Sequence, residues 1–72
     1  MNNGSMADLV SIGRRIANIR AEKKVSQDDL AGMAELNRGY ISRIENGHVS
    51  FSVPILLKIA KALDVPPADF FK

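Results

Sequence analysis

Apolar residues recur at intervals of three and four along most of the chain, which is the spacing of amphipathic helices. The first such segment runs from residue 9 to residue 24, and its apolar positions are Leu9, Ile12, Ile16 and Ile19. Charged side chains lie off this stripe. The polar breaks between segments are short, which suits tight connections between packed helices. The pattern therefore predicts an all-α domain that starts with helix one.

Polar capping residues mark the start of the next helix. Ser26 is followed three positions later by Asp29, which is a variant of the capping box in which two unpaired amides gain partners. The sequence predicts helix two from about Gln27 to Ala34.

A third helix follows after a turn of about three residues. Asn37 can cap it, and Ile41 and Ile44 are its apolar positions. It stops at Gly47, the residue best able to adopt the left-handed conformation beyond a helix end. Helix three is therefore short and carries little apolar surface.

Two more helices complete the pattern. Ser52 caps helix four, and Pro54 stands in the first turn, where a missing amide proton costs nothing. This helix ends near Asp64, and its inward positions are Ile55, Ile59 and Leu63. Two prolines then start a last short helix, PADFFK, which lays one or both phenylalanines over the core. The sequence predicts a compact five-helix fold.

The outer face of helix three is polar. At about 100° per residue, the side opposite the isoleucines carries Gly39, Ser42, Arg43 and Asn46. Gly39 lets the backbone approach another surface closely, and Arg38 reaches past the helix end. The major groove of B-DNA admits one α-helix, and arginine can pair with both acceptors of guanine. Helices two and three thus match a helix-turn-helix that reads DNA.

Several matches in register resemble the helix-turn-helix domain of the lambda-repressor-like family, which includes phage repressors, Cro proteins and stand-alone bacterial regulators. They span about residues 9–71 and are Gln27, Leu30-Ala31, Ile41-Ser42, Glu45 with Gly47, Ile59-Ala60, Ala62-Leu63 and Val65. The segment NRGYIS is also similar to the recognition segment of restriction-modification controller proteins. The resemblance implies a compact five-helix DNA-binding domain.

The resemblance also implies roles for residues of helices two and three. Gln27 would contact a phosphate at the start of helix two, and Asn46 would touch the backbone of the second strand. The residues that would face bases are Arg38, Gly39, Ser42 and Arg43. Asn37 is a helix cap first and a DNA contact second. Tyr40 either packs against helix two or contacts a phosphate or thymine.

Two features concern the placement of helix three. Arg20 and Glu45 lie on the shoulders of their apolar stripes where helices one and three should meet, so we predict an ion pair; the resemblance implies the same pair. In the turn after helix two, the family usually has glycine where this chain has Glu35. A non-glycine residue held at positive φ there would be strained.

Helix four carries a second apolar stripe of Val53, Leu57 and Ala60, about 150° from its core-facing residues. With Phe70 and Phe71 nearby, we expect these residues to form a contact surface, which in an isologous dimer would meet its own copy. The resemblance likewise implies a homodimer.

The composition mainly excludes certain classes of site and of protein. The 72 residues suit one domain, expected at residues 7–72, with residues 1–6 as a disordered leader or an expression scar. A net charge of +2 is compatible with a polyanionic partner without demanding one. No cysteine is present, and a lone His48 cannot build a zinc site. No apolar run approaches the roughly 20 residues of a membrane span. We expect a cytoplasmic, nucleoid-associated protein.

The leading hypothesis is a sequence-specific DNA-binding transcriptional regulator that binds a palindromic operator as a homodimer. The alternative is a protein-interaction module, for example antitoxin-like, that uses the face of helix four. An enzyme is the least expected, because the sequence has no paired nucleophile and base and no metal-ligand cluster. We therefore expect no catalytic residue, no cofactor and no small-molecule substrate; the expected partners are double-stranded DNA and a second copy.

Overall fold

The computed structural model describes residues 4–72, and every regular element within that range is a helix. The elements are α1 (Gly4–Glu22), α2 (Gln27–Ala34), α3 (Arg38–Glu45), α4 (Val53–Leu63) and a C-terminal 3₁₀ helix (Pro67–Phe71). The all-α class is confirmed, but the last of the five elements is a 3₁₀ helix. The predicted leader covers residues 1–6, of which 1–3 lie outside the described residues, and α1 begins at Gly4.

Short polar side chains set the beginnings of three helices. Ser26 and Asp29 form a reciprocal capping box: the Ser26 hydroxyl accepts from the Asp29 amide at 2.9 Å, and the Asp29 carboxylate accepts from the Ser26 amide at 3.4 Å. Asn37 accepts from two amides in the first turn of α3, and Ser52 accepts from one in α4. These bonds satisfy amides that have no partner inside their own helix, which explains the close agreement with the predicted starts.

The connections after the helices use left-handed backbone. Gly47 follows α3 with φ of 72°, while Lys24, Glu35 and Asp64 adopt φ of 60°, 57° and 58°. Only glycine takes this conformation without a steric cost from Cβ. Glu35 ends α2 in this conformation, at the position where the resemblance leads one to expect glycine.

One hydrophobic core joins all five elements. α1 packs against α3 and the 3₁₀ helix, while α2 packs against α3 and α4. The buried side chains are Ile16, Ile19, Leu30, Ala31, Ala34, Ile41, Ile44, Leu56, Ile59, Ala60, Leu63 and Phe70. Each α-helix contributes at least two of them and the 3₁₀ helix contributes Phe70, so no helix can move without disturbing the core.

The apolar surface on α4 is narrower than the sequence predicts. Ala60 and Phe70 are only 2% and 1% exposed, so both belong to the core and their assignment to a contact surface is wrong. The reason is that α4 packs against both α2 and the 3₁₀ helix, which widens its buried face. Val53, Leu57 and Phe71 remain exposed, at 67%, 48% and 63%.

Candidate nucleic-acid interface

α2 and α3 pack against each other and are joined by a turn of residues 35–37. α3 buries Ile41 and Ile44 completely, which leaves its opposite side facing outward. On that side Ser42 is half-buried, while Arg43 and Asn46 are exposed. This arrangement is a helix-turn-helix whose second helix presents a polar face.

Two arginines and a glycine lie on or beside this polar face. Arg38 is the first residue of α3, and its Nε lies 3.3 Å from Oδ1 of Asp28 on α2. A Cβ added to Gly39 would lie 3.4 Å from Nη1 of Arg43 and 3.0 Å from Oδ1 of Asn37. The Arg43 guanidinium thus lies back along the helix beside the bare backbone of Gly39.

The other predicted contact residues have partners within the domain. The side chain of Asn37 is engaged as the cap of α3. Tyr40 is half-buried and packs against the core, which is the packing role that the sequence left open. Nδ2 of Asn46 donates to the carbonyl oxygen of Ser42 at 2.8 Å. Asn37 and Asn46 are both exposed, and Asn46 lies at the end of α3.

A charged network joins α1, α2 and α3 beneath this face. Glu45 accepts from Nε and Nη2 of Arg20 at 2.6 and 2.9 Å, and from Nε2 of Gln27 at 2.9 Å. Nη1 of Arg20 donates to the Val25 carbonyl at 2.9 Å. The hydrogen bond to Glu45 raises the pKa of Arg20, and partial burial opposes that rise. The Glu45 side chain is 5% exposed, so this carboxylate depends on its donors.

Glycines allow α1 to approach the end of α3 very closely. A Cβ on Gly13 would lie 2.1 Å from the Ile44 carbonyl oxygen and 3.1 Å from that of Glu45. A Cβ on Gly47 would lie 2.6 Å from a methyl group of Val10. The backbones of α1 and α3 are therefore in direct contact, and the position of α3 is set partly from α1.

The structure thus brings together some residues that the sequence pattern does not connect. Gln27, predicted as a phosphate contact, also supports Glu45, and Arg38 has a partner in Asp28. Gly13 has no predicted role, although glycine within a helix is a signal for close packing.

Among the described residues, His, Cys, Asp and Glu form no group suited to a metal ion. Within the same range, no helix has the length and hydropathy of a membrane span.

Known proteins with similar sequences or structures carry regulatory names. The control protein C.BamHI of Bacillus amyloliquefaciens is 43% identical over 58 residues, which are 79% of this chain and 72% of that protein. The control protein C.MunI of a Mycoplasma species is 33% identical over 63 residues, 86% of this chain and 85% of that protein. The crystal structure of the restriction-modification controller protein C.AhdI from Aeromonas hydrophila matches with a TM-score of 0.88 at 40% identity, over 90% of this chain and 98% of that chain.

The helix-turn-helix family HTH_3 matches residues 16–70, a range that includes α2, the turn and α3. The resemblance to repressor-like helix-turn-helix proteins, and to restriction-modification controllers among them, is confirmed by these matches. The chain belongs to the helix-turn-helix family HTH_3.

Proposed function

We propose that this chain is a DNA-binding transcriptional regulator that places α3 in the major groove of a specific operator. The observation that carries this proposal is the polar face of α3, where Arg43 and the bare backbone of Gly39 lie opposite two completely buried isoleucines and Arg38 stands at the helix start. A helix-turn-helix inserts its second helix into the groove, and arginine matches the two acceptors of guanine.

The similar proteins support a regulatory role. C.BamHI and C.MunI are named control proteins, and a further relative is the immunity repressor of Bacillus phage phi105. The narrowest function consistent with these names is control of restriction-modification genes. Repressor and controller names both describe proteins that act on gene expression, so the proposal needs no enzymatic activity from this domain.

The residues of the interface divide into two roles. Arg38, Ser42 and Arg43 contact base edges, with Gly39 allowing the backbone to come close. Gln27 contacts a phosphate at the start of α2, where backbone amides favour anions. Asn46 contacts the backbone at the other end of α3. Tyr40 and Asn37 act mainly by holding α3 in shape.

The regulator acts as a homodimer on a palindromic site, with recognition helices about 34 Å apart along the duplex. The surface available for this contact is Val53, Leu57 and Phe71, which remain exposed. Beside Phe71 lies a groove of about 340 Å³ that Asp8 and Ile12 help to line. An apolar surface next to a groove suits a self-complementary contact, in which each copy supplies both parts. A sedimentation mass equal to one chain, measured at tens of micromolar, would contradict the homodimer. A complex of this chain with a different protein would favour the alternative, a protein-interaction module.

In vitro selection of bound oligonucleotides tests the proposal directly. We expect an enriched palindrome whose half-sites are separated by about one helical turn. On that operator, Arg43→Ala should cost about 1 to 3 kcal/mol and relax base choice at one position. Gln27→Ala should weaken binding to all duplexes alike. Because Gln27 also donates to Glu45, the melting temperature of this variant should be measured to check that the domain remains folded. Failure to enrich any sequence would refute sequence-specific binding.

A further inference from the structure

The Arg38 side chain forms an ion pair with a residue of the preceding helix. Asp28 lies in the first turn of α2, and its Oδ1 is 3.3 Å from Nε of Arg38, the first residue of α3. Both side chains are largely exposed, at 78% for Asp28 and 62% for Arg38. The pair therefore crosses from one helix of the motif to the other at the surface proposed to meet DNA.

The nitrogen that Asp28 uses decides what remains available on Arg38. The carboxylate lies against Nε, at the edge of the guanidinium nearest the main chain. The two terminal nitrogens, Nη1 and Nη2, form the opposite edge of the planar group. A guanine presents two acceptors side by side in the major groove, and a pair of parallel donors fits them. A carboxylate at Nε thus fixes the direction of the group without occupying that pair of donors.

The neighbouring carboxylate, Asp29, has a different task. Asp29 is the third residue of α2 and closes the capping box with Ser26. Asp28 takes no part in that box, so the start of α2 is capped without it. A negative charge at this place lies near the phosphate expected at the start of α2, which makes it unfavourable for general affinity.

We propose that Asp28 is a positioning residue for base recognition, which orients the guanidinium of Arg38 toward a base edge before DNA arrives. This inference rests on the proposed function. Because an exposed ion pair orders a side chain only weakly, losing the preformed orientation should lower discrimination about two- to fivefold. The role concerns specificity, and it adds nothing to affinity for random DNA.

The test compares affinity for the selected operator with affinity for a scrambled duplex of the same length, measured by fluorescence anisotropy at one salt concentration. Asp28→Asn removes the charge and the pair, whereas Asp29→Asn removes a charge in the same helical turn and leaves Arg38 paired. We expect the ratio of the two affinities to fall about two- to fivefold for Asp28→Asn. We expect Asp29→Asn to raise both affinities and to leave the ratio unchanged.

A double variant assigns the effect to Arg38. In an Arg38→Ala background, Asp28→Asn should leave the affinity ratio unchanged, because the group it orients is gone. The inference is overturned if Asp28→Asn strengthens both duplexes equally, or if it lowers the ratio as much without Arg38 as with it. If the unaltered chain binds no duplex at all, the proposed function fails as well. If it binds and only the ratio is insensitive to Asp28, the proposed function stands and this inference alone is wrong.

Discussion

Replacing Gly13 with alanine tests whether α1 sets the position of α3. The added Cβ would lie 2.1 Å from the Ile44 carbonyl oxygen, which belongs to the backbone of α3. Carbon and oxygen atoms in close contact are normally about 3.3 Å or more apart. The two helices would have to separate by roughly 1 Å, because a backbone carbonyl cannot rotate away as a flexible side chain can.

The expected loss of stability follows from two opposing effects. Alanine is favoured over glycine within a helix by about 0.8 to 1 kcal/mol. Overpacking a well-packed site costs about 1 to 3 kcal/mol, and more when backbone must shift. Because the clash is with a backbone carbonyl, we expect a cost near the upper end of that range, about 3 kcal/mol, and a net loss of about 2 kcal/mol once the helix-propensity gain is subtracted. That is a large part of the about 4 to 11 kcal/mol typical of a chain of this size.

Urea unfolding followed by circular dichroism measures this loss. Gly32→Ala in α2 is the matched control, since a Cβ there meets no atom within 4 Å. It should stabilise the domain by about 0.5 to 1 kcal/mol, from helix propensity alone. A Gly13→Ala variant as stable as the unaltered chain, alongside a stabilised Gly32→Ala, would refute close contact between α1 and α3.

Three further substitutions test other parts of the structure. Glu45→Ala should lower the free energy of unfolding in urea by about 2 to 3 kcal/mol, because it leaves the partly buried Arg20 without its carboxylate. A decrease of less than about 0.5 kcal/mol would contradict this. Glu35→Gly should gain about 1 kcal/mol, because glycine adopts the observed φ of 57° without strain, and an unchanged melting temperature would count against that strain. Gly39→Ala should leave folding nearly unchanged, since its nearest atoms are side-chain ends. It should nevertheless weaken operator binding about tenfold or more in anisotropy, and equal affinity would show that the backbone does not approach the bases.

The predicted helix starts agree with the structure where the signal is local in the sequence. Ser26 and Asn37 cap helices within three residues of their own positions, so α2 and α3 could be placed from sequence alone. The buried face of α4 could not be predicted correctly from the sequence. Periodicity indicates one inward direction, whereas α4 meets two neighbours, so Leu56 and Ala60 are buried beyond the expected stripe.

The sequence likewise predicts only part of the candidate site. The polar face of α3 follows from the angle between residues on one helix, which needs no knowledge of other helices. The contact of Asp28 with Arg38 and that of Gln27 with Glu45 depend on how α2 and α3 are placed, and side-chain type alone does not specify that placement. Close approach at Gly13 is harder still, because it depends on the absence of a side chain rather than on one that is present.

These contacts have a consequence for how the domain discriminates between sequences. α3 has eight residues, and an isolated helix of that length is unstable in water. Its position therefore comes from Ile41, Ile44, Glu45 and the contact with Gly13, all on its inner side or its end. A hydrogen bond to a base tolerates only a few tenths of an ångström, whereas attraction to phosphates falls slowly with distance. Variants beneath α3 should therefore weaken operator binding more than random DNA binding, even though the altered residues touch neither duplex.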